Sequence, residues 1–514
     1  MNSPFDASPE DLDQLRISVQ DWMKKSRCAV LSFQRKDRKG SFWLDSRDVR
    51  PVRGEYRLHP TATARSYLAL AAADRWRADR SVKPPGWKND LRKFVDKPHF
   101  RGKPLFKIER GKIVDTVSSK KRNKLNNFDV AHLADHFFCV EYLNKFYDSG
   151  LKLEKLISGE ISPQKSIIRI LEKNLKESVP KKNSKSLKRR KTGKRGKVLL
   201  AANSDAHFFV TLHTLRALTI LDSERLDNDN VIERICEYAK EFCIEQCFYS
   251  SRDARHELDI VSLVFATVIY CLYGRPALID KDLILACIEA LAKAQQPNGA
   301  WPATHPIIRE GRDPWHITSH EVALCLTWLY FQPRVPDAGR GMLLSMMEKY
   351  FQFWVVPSYT RVTEFGHTFS GWFDDHTITR DTVMGWATAI VCHFLSNYFW
   401  ILNDHINRRV IESLNLTASA KKYLVDDGAH ERSPRWALNR KEKPWQATWP
   451  DVPPIAWLGE SNEMDLARQI RWMWTDPSLI KSDVSISDHL SQKLLLPIFK
   501  SPDERPEKRL CAGM

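Results

Sequence analysis

Two short groups of acidic and imidazole side chains stand at or just before predicted helix starts. Asp374, Asp375 and His376 precede one apolar helix, and His320 with Glu321 opens another. Carboxyl and imidazole groups that lie close together can exchange protons in general acid–base catalysis. A carboxylate pair at a helix start is also an arrangement that the helix dipole stabilises. These five residues are therefore candidate catalytic residues. The alternative is that the carboxylates only stabilise the helix start.

Two groups of histidine and cysteine have spacings that could place metal ligands on one helix face. His316 and His320 stand at i and i+4, although a helix that begins at Thr318 leaves the first of them outside it. The second group consists of Cys236, Cys243, Cys247 and His256. Two histidines alone do not make a zinc site, and cysteines in apolar helices are usually core residues. We expect no metal and no cofactor.

Several short motifs of well-known enzyme classes do not occur in the chain. It has no phosphate-binding Gly-x-x-x-x-Gly-Lys loop, no Gly-x-Gly-x-x-Gly turn, no Gly-x-Ser-x-Gly elbow and no His-Glu-x-x-His helix. This argues against ATP hydrolysis, dinucleotide redox chemistry and zinc proteolysis. Glycoside hydrolysis stays open, because its two carboxylates need no short motif and the 17 tryptophans could line a sugar site.

The helices that would position these residues are separated by a Trp-containing turn. Residues 282–294 have apolar side chains at helical spacing, and the Pro-Asn-Gly sequence at 297–299 then breaks the pattern. Trp301 follows and is left to pack back on the end of that helix. The next helix begins at Thr318, which with Glu321 fits a capping box.

The same loop-plus-helix design occurs three times, which indicates an internal repeat. In the second copy, Gly371-Trp372 comes before an apolar helix that runs from Thr379 to about Phe399. A weaker third copy is Gly40 to Trp43, with Gln34 upstream, and it leads to the helix that opens at His59 and runs through Ala73.

The stretch from Gln295 to Trp301 resembles the QW repeat of terpenoid cyclases and protein prenyltransferases. The resemblance implies an all-α fold, an α/α toroid in which helices alternate between an inner and an outer ring. Ile260 to Tyr273, apolar on every side, would lie in the inner ring, and the helix before the turn would lie in the outer ring with Lys293 exposed. Trp301 and Trp372 would then occupy equivalent places, each packed on the end of the preceding helix.

The resemblance also implies where catalysis would take place. Asp374-Asp375-His376 resembles a fragment of the acid motif of class II terpenoid cyclases, in which a carboxylic acid kept protonated by its neighbours starts a carbocation cascade. Position 372 is Trp, where that motif has a further Asp. One of the two aspartates would be the acid, tuned by the adjacent histidine, His320 or Glu321. The zinc set of Asp, Cys and His in prenyltransferases is not matched here.

Positive charge is concentrated in two segments, within a formal net charge of +17. Residues 181–197 contain ten basic side chains and no acid: Lys181, Lys182, Lys185, Lys188, Arg189, Arg190, Lys191, Lys194, Arg195 and Lys197. The second segment, 75–124, ends with Lys120, Lys121, Arg122 and Lys124. Like charges at this density repel unless a polyanion is near. They predict nucleic-acid binding through phosphates without sequence preference, and a solubilising surface loop is the alternative.

Composition divides the chain into five predicted segments. These are an acidic N-terminal tail (1–14), the first toroid helices (15–73), a basic insertion (74–203) with a mobile loop at 181–197, the main α/α-toroid repeats (204–416) and a Trp/Pro-rich C-terminal region (417–514). The last has six tryptophans between Trp436 and Trp474, which suits a packed loop layer or a surface for a protein partner.

Apolar patterning and cysteine usage predict a cytoplasmic protein with no membrane segment. The longest apolar run, residues 260–273, is shorter than the roughly 20 residues of a membrane helix, and residues 1–14 contain no apolar signal core. Ten cysteines lie mostly in apolar helices, where they are usually reduced.

Two hypotheses follow for function. The first is a helical-toroid protein that binds nucleic acid or another polyanion through its basic segments, as a scaffold in a bacterial multi-protein system such as antiviral defence. The alternative is an enzyme that works in the toroid cavity with Asp374 or Asp375 as the acid, resembling a terpenoid cyclase or a glycoside hydrolase in its chemistry.

Overall fold

Helices predominate in the computed structural model of this chain, and short β-hairpins join several of them. The structure describes residues 9–37, 40–44, 60–74, 106–109, 112–115, 157–158, 204–221, 230–249, 258–274, 279–302, 308–310, 313–315, 319–330, 332, 334–364, 366–373 and 383–413. Most described residues are helical and few are in strands, which confirms the all-α prediction at the level of secondary structure.

The described helices are α1 (Pro9–Ser32), α2 (Pro60–Asp74), α3 (Ser204–Leu221), α4 (Asn230–Ile244), α5 (Ile260–Tyr273), α6 (Lys281–Ala294), α7 (Ser319–Tyr330), α8 (Asp337–Tyr350) and α9 (Gly385–Ser413). Two of them widen at their C-terminal ends into π-helical turns: α4 continues into π1 (Glu245–Tyr249) and α8 into π2 (Phe351–Val355). None of the helices in the described part of the chain is both long and apolar enough to cross a membrane.

Within the described residues, three antiparallel hairpins that form two-stranded sheets are inserted between successive helices. They are β1 (Gln34–Asp37) with β2 (Gly40–Trp43), β6 (Ile308–Glu310) with β7 (Asp313–Trp315), and β8 (Thr360–Glu364) with β9 (His367–Gly371). A separate small sheet pairs β3 (Phe106–Glu109) with β4 (Lys112–Asp115) and, in parallel, with β5 (Ile157–Ser158). The sequence predicted loops at the three hairpin positions. Strands of three to five residues are too short for apolar alternation to be recognised.

The helices fall into two groups by burial. α5 and α7 are buried along their whole length, as are residues 208–218 of α3 and most described side chains of α2 and of the first half of α9. We call these five the core helices. α1, α4, α6 and α8 bury one face each and are the peripheral helices. The complete burial predicted for Ile260 to Tyr273 is confirmed, as is the exposure of Lys293.

Neighbouring core helices are in contact in the order α2, α9, α7, α5, α3. The peripheral helices cover them, with α1 on α2 and α9, α8 on α7, and α6 and α4 on α5. α9, late in the chain, therefore packs against α1 and α2 at its beginning. The β8–β9 hairpin contacts α1 as well, since the Ser32 hydroxyl accepts a hydrogen bond from the Ser370 amide of β9 at 3.1 Å. The helix α1 begins at Pro9, within the segment predicted as an acidic tail, and buries Leu12 and Arg16.

Three tryptophans satisfy backbone carbonyls at the ends of peripheral helices. The indole nitrogens of Trp43, Trp301 and Trp372 donate to carbonyl oxygens near the ends of α1, α6 and π2, at 2.9, 3.0 and 2.8 Å. Carbonyls in the last turn of a helix lack an intrahelical partner, so each indole satisfies one of them. Each side chain is at most 1% exposed. The predicted packing of Trp301 and Trp372 on the preceding helix ends is confirmed, and Trp43 repeats it.

Two of these tryptophans also hold the start of the next core helix. The Trp301 amide donates to Ser319 Oγ at 2.8 Å, and the Trp372 amide donates to Thr388 Oγ1 at 3.2 Å. The Met384 amide donates to the Trp372 carbonyl at 2.9 Å, so the chain is still non-helical there and α9 begins at Gly385. The helix start predicted at Thr379 is therefore wrong.

Gln295 ties the Trp301 junction to the next peripheral helix. Its Nε2 donates to the carbonyls of Gly299 and Met346, both at 2.9 Å. Gly299 has φ +80° and lies against the backbone of Lys349 at the end of α8, a place where a side chain has neither the conformation nor the space. The turn predicted from Pro297 to Gly299 thus closes on itself and joins α6 to α8.

Candidate functional site

A small cavity with charged walls lies between four of the five core helices. It is lined by Arg65 and Leu68 from α2, His213 and Arg216 from α3, Glu321 and Leu324 from α7, and Ala389, Ile390 and His393 from α9. Its volume is about 20 Å³, which is room for about one water molecule. Helices that are far apart in sequence therefore present their polar side chains to one point.

The cavity contains a buried ion pair between α2 and α7. Arg65 Nη1 donates to Glu321 Oε1 at 2.6 Å, and the two side chains are 12% and 6% exposed. Glu321 is the third residue of α7, where the dipole of the helix N-terminus favours a negative charge. Arg65 interrupts the Ala- and Leu-rich sequence of α2. A hydrogen bond between charged groups at this burial links the two helices strongly.

Another part of the cavity wall is formed by α3. His213 and Arg216 are three residues apart, so both project from one face of the helix. The Arg216 guanidinium lies over the Trp328 ring, 4.2 Å from its centroid, in a cation–π contact. The His213 ring meets Phe209 edge-on at 4.5 Å. Both polar side chains are at most 3% exposed. Their positions are fixed by aromatic packing.

The walls carry more positive than negative formal charge. Arg65 and Arg216 contribute two guanidinium groups, and Glu321 contributes one carboxylate. Two imidazoles, of His213 and His393, add donors or acceptors according to their protonation. The lining thus has one excess positive charge in a place with little water, which is a property of sites that take anions.

Cys325, one turn after Glu321 on α7, is not equipped as a nucleophile. Burial raises the pKa of its thiol well above the usual value, the nearby Glu321 charge raises that pKa further, and Arg216 opposes the shift. The thiol stays protonated at neutral pH, and the thiolate is the nucleophilic form. The chemistry available in the cavity is therefore binding and proton transfer.

His320 does not join Glu321 in the cavity. Its Nδ1 lies 2.6 Å from the Tyr350 hydroxyl and its Nε2 lies 3.0 Å from the Phe373 carbonyl oxygen. Its ring also meets Trp354 edge-on at 4.6 Å. Consecutive helix residues point about 100° apart, so the neighbours on α7 face different partners. His320 therefore packs toward α8 and π2.

The other predicted site residues lie outside the described residues. These are Asp374, Asp375 and His376, the ten basic residues of 181–197, and Lys120, Lys121, Arg122 and Lys124. Phe373, which directly precedes Asp374 in the sequence, is described, and its carbonyl oxygen contacts His320 at the start of α7. Thr318 of the predicted capping box is also outside, and Glu321 of that box is bonded to Arg65.

The π-helical turn π1 alters the spacing predicted for Cys243 and Cys247, which were expected to share one face of an α-helix. Cys243 lies on α4 and Cys247 in π1, where the backbone no longer has α-helical spacing, and His256 is outside the described residues. Cys247 Sγ lies 3.6 Å from Cys287 Sγ on α6. Among the described residues, no three His, Cys, Asp or Glu side chains are grouped to hold a metal ion.

Four polar residues of the cavity were missed by the sequence analysis, which named only Glu321. Arg65, His213, Arg216 and His393 each stand in a stretch of helix where most neighbouring residues are apolar or small. Charged and imidazole side chains are seldom buried without a partner. Such interruptions of apolar helices are a sequence signal for buried polar sites, although they do not show which ones meet.

Comparisons with protein-family models, with curated proteins and with solved structures gave no match to this chain.

Proposed function

We propose that the helical part of this protein is a ligand-binding chamber whose central cavity takes an anionic group, such as a phosphate or a carboxylate. The observation that supports it is the convergence of two guanidinium groups and two imidazoles, against one carboxylate, from four core helices. Guanidinium groups bind such oxyanions through pairs of parallel hydrogen bonds.

Glu321 acts in this proposal as an internal counter-ion. The cavity, at about 20 Å³, is too small for a phosphate while the carboxylate is bonded to Arg65. An entering anion displaces Glu321 from Arg65 and takes its hydrogen bonds. Binding therefore exchanges one ion pair for another, and the affinity is set by the difference between them.

A calorimetric titration of the full chain with inorganic phosphate, at constant ionic strength, tests the proposal. Arg216→Met should weaken binding, and Glu321→Gln, which removes the competing carboxylate, should strengthen it by about tenfold, or about 1.4 kcal/mol. The control is Arg361→Met, which removes an exposed guanidinium on β8. No binding, or equal affinity in all four proteins, would falsify the anion site.

The α/α toroid is part of the same proposal. Its support is the alternation of core and peripheral helices from α3 to α9, the neighbour order of the core helices, and the repeated tryptophan junctions. In this proposal the core helices form the inner ring, and the polar side chains that line the cavity point toward the ring axis.

A second candidate function is the binding of nucleic acid through the basic segments. Its support is the run from Lys181 to Lys197, with ten basic residues and no acid. Affinity for nucleic acid should fall steeply with salt, because each neutralised phosphate releases a counterion. A variant with Gln at all ten basic positions should lose affinity and have a shallower salt slope. An unchanged slope in that variant contradicts this role.

Catalysis by Asp374 or Asp375 stays a prediction from the sequence. The double variant Asp374→Asn/Asp375→Asn should abolish activity on a substrate turned over by the native chain and leave thermal unfolding unchanged. Retained turnover in that variant argues against an acid role for the pair.

A further inference from the structure

Two thiols from neighbouring peripheral helices lie side by side, away from the ligand cavity. Cys247 is in π1, at the end of α4, and Cys287 is on α6, with their sulfur atoms 3.6 Å apart. Cys247 is partly exposed, and Phe248 beside it is 49% exposed, so π1 reaches the protein surface. Cys287 is buried, at 1% exposed.

We propose that Cys247 and Cys287 form a modification site, a dithiol that closes into an intramolecular disulfide on reaction with a small-molecule disulfide. Among the described cysteines, this is the pair whose sulfur atoms approach each other at the surface. Sulfur atoms in a disulfide are about 2.05 Å apart, so closure requires them to move together by only about 1.5 Å. The π-helical turn that carries Cys247 lies at a helix end, where such a shift disturbs few backbone hydrogen bonds.

The reaction proceeds by two thiol–disulfide exchanges. The Cys247 thiolate attacks one sulfur of the small disulfide and forms a mixed disulfide, and the first small thiolate leaves. The Cys287 thiolate then attacks the Cys247 sulfur and releases the second. Two protein thiols are oxidised by two electrons, the small disulfide is reduced to two thiols, and both protein protons end on the released thiols.

Exposure sets the order of the two attacks. Cys247 meets the reagent first because it is the partly exposed partner, and the buried Cys287 resolves the mixed disulfide. Cys243, one turn before Cys247 on α4, also contacts Cys287 but is fully buried, with its sulfur 3.8 Å from the Thr267 hydroxyl. It is not in a position to meet the reagent, and it leaves Cys247 as the accessible sulfur next to Cys287.

The surroundings of Cys247 make the first exchange slow at neutral pH. The hydrogen bond to Cys287, then burial, then the negative charge of Glu289 raise the pKa of the Cys247 thiol above its ordinary value. Since the thiolate is the attacking form, the rate should rise about tenfold per pH unit while the pH stays below that pKa. The site is therefore a slow switch, favoured by prolonged oxidation.

Closure of the disulfide would join π1 to α6 around α5. Cys247 and Cys287 are 40 residues apart in sequence, and the segment between them includes α5, the core helix that both peripheral helices cover. A covalent link of this kind restricts the unfolded chain and should raise the thermal midpoint. The consequence is a more rigid outer layer on one side of the helical array.

The test is incubation of the full chain with oxidised glutathione at pH 7.5 and 8.5, followed by non-reducing peptide mapping by mass spectrometry. The expected product is a Cys247–Cys287 linked peptide with the loss of two hydrogen atoms, formed about tenfold faster at the higher pH. The linked protein should also have a raised thermal midpoint, which returns to the starting value on reduction.

Three variants separate this reaction from general thiol oxidation. Cys287→Ser should stop at a stable mixed disulfide on Cys247, and Cys247→Ser should form neither product at these positions. Cys28→Ser, which removes an exposed cysteine on α1, should form the linked peptide at the native rate. A native chain that accumulates only the Cys247 mixed disulfide, or in which neither cysteine reacts, would overturn the proposal.

Discussion

At the scale of single residues, the buried ion pair between Arg65 and Glu321 should have a large effect on stability. Both side chains are at least 88% buried, so the loss of one partner leaves the other charge with little water. Arg65→Met should lower the free energy of unfolding by about 3–5 kcal/mol, and Arg65→Met/Glu321→Leu should recover most of it. Urea unfolding of the single and double variants gives the coupling energy.

An exposed pair provides the control for this cycle. Lys24 and Asp21 on α1 are 3.0 Å apart and more than half exposed, so Lys24→Met should change the free energy of unfolding by less than about 1 kcal/mol. If Arg65→Met has an equally small effect, the cavity is hydrated and the buried ion pair does not have the strength argued above.

The sequence predicted one member of this cluster and not the others, for a physical reason. Glu321 was recognised because it stands beside His320 at a predicted helix start. Arg65 is 256 residues away from it, and nothing local in either helix specifies their contact. Partners of this kind are set by how the core helices pack, which a single sequence without homologues does not specify.

At the scale of elements, the tryptophan junctions should contribute strongly to stability. Trp301→Ala removes a side chain that is 1% exposed and should cost about 3–5 kcal/mol in the free energy of unfolding. Trp301→Phe keeps a ring but loses the indole hydrogen bond to the end of α6, and should leave a smaller loss that includes about 1 kcal/mol for the bond. Denaturant titrations of both variants check this, and similar values for the two would contradict a role for the indole nitrogen.

Two glycines of the β8–β9 hairpin differ in what surrounds them. Both have positive φ, +75° at Gly366 and +146° at Gly371. A Cβ at Gly366 meets no atom within 4 Å, whereas one at Gly371 meets the Thr388 side chain. Gly366→Ala should cost about 1–2 kcal/mol from backbone strain alone, and Gly371→Ala should cost about 1–3 kcal/mol more from the clash. Thermal unfolding of both variants measures the difference, and equal losses would show that α9 moves away readily.

Helices with continuous apolar patterns were predicted well, and the hairpins that connect the helices were not. Residues 260–273 were predicted as a buried helix, with the bounds that α5 has, because an apolar run of that length leaves few alternatives. The hairpin around Gly366 was not predicted, because its strands are short and its register depends on contacts with α1 and α9.

At the scale of the whole molecule, the first and last helices of the described region form one packed unit. α9 lies against α1 and α2, which precede it by more than 300 residues, and the Cys392 thiol lies 3.9 Å from the Ala69 carbonyl across that contact. The predicted segments 15–73 and 204–416 therefore share a core.

This arrangement predicts that the later helices depend on the earlier ones. A fragment of residues 204–413 lacks α1 and α2, so it exposes the apolar face of α9 that they cover, and it should show no cooperative thermal transition. Addition of a separate fragment of residues 1–74 should restore that transition, because the contacts between the pieces are non-covalent. Calorimetry of each fragment and of their mixture tests the dependence. A fragment 204–413 that unfolds cooperatively by itself would show that α1 and α2 are attached to a core already complete without them.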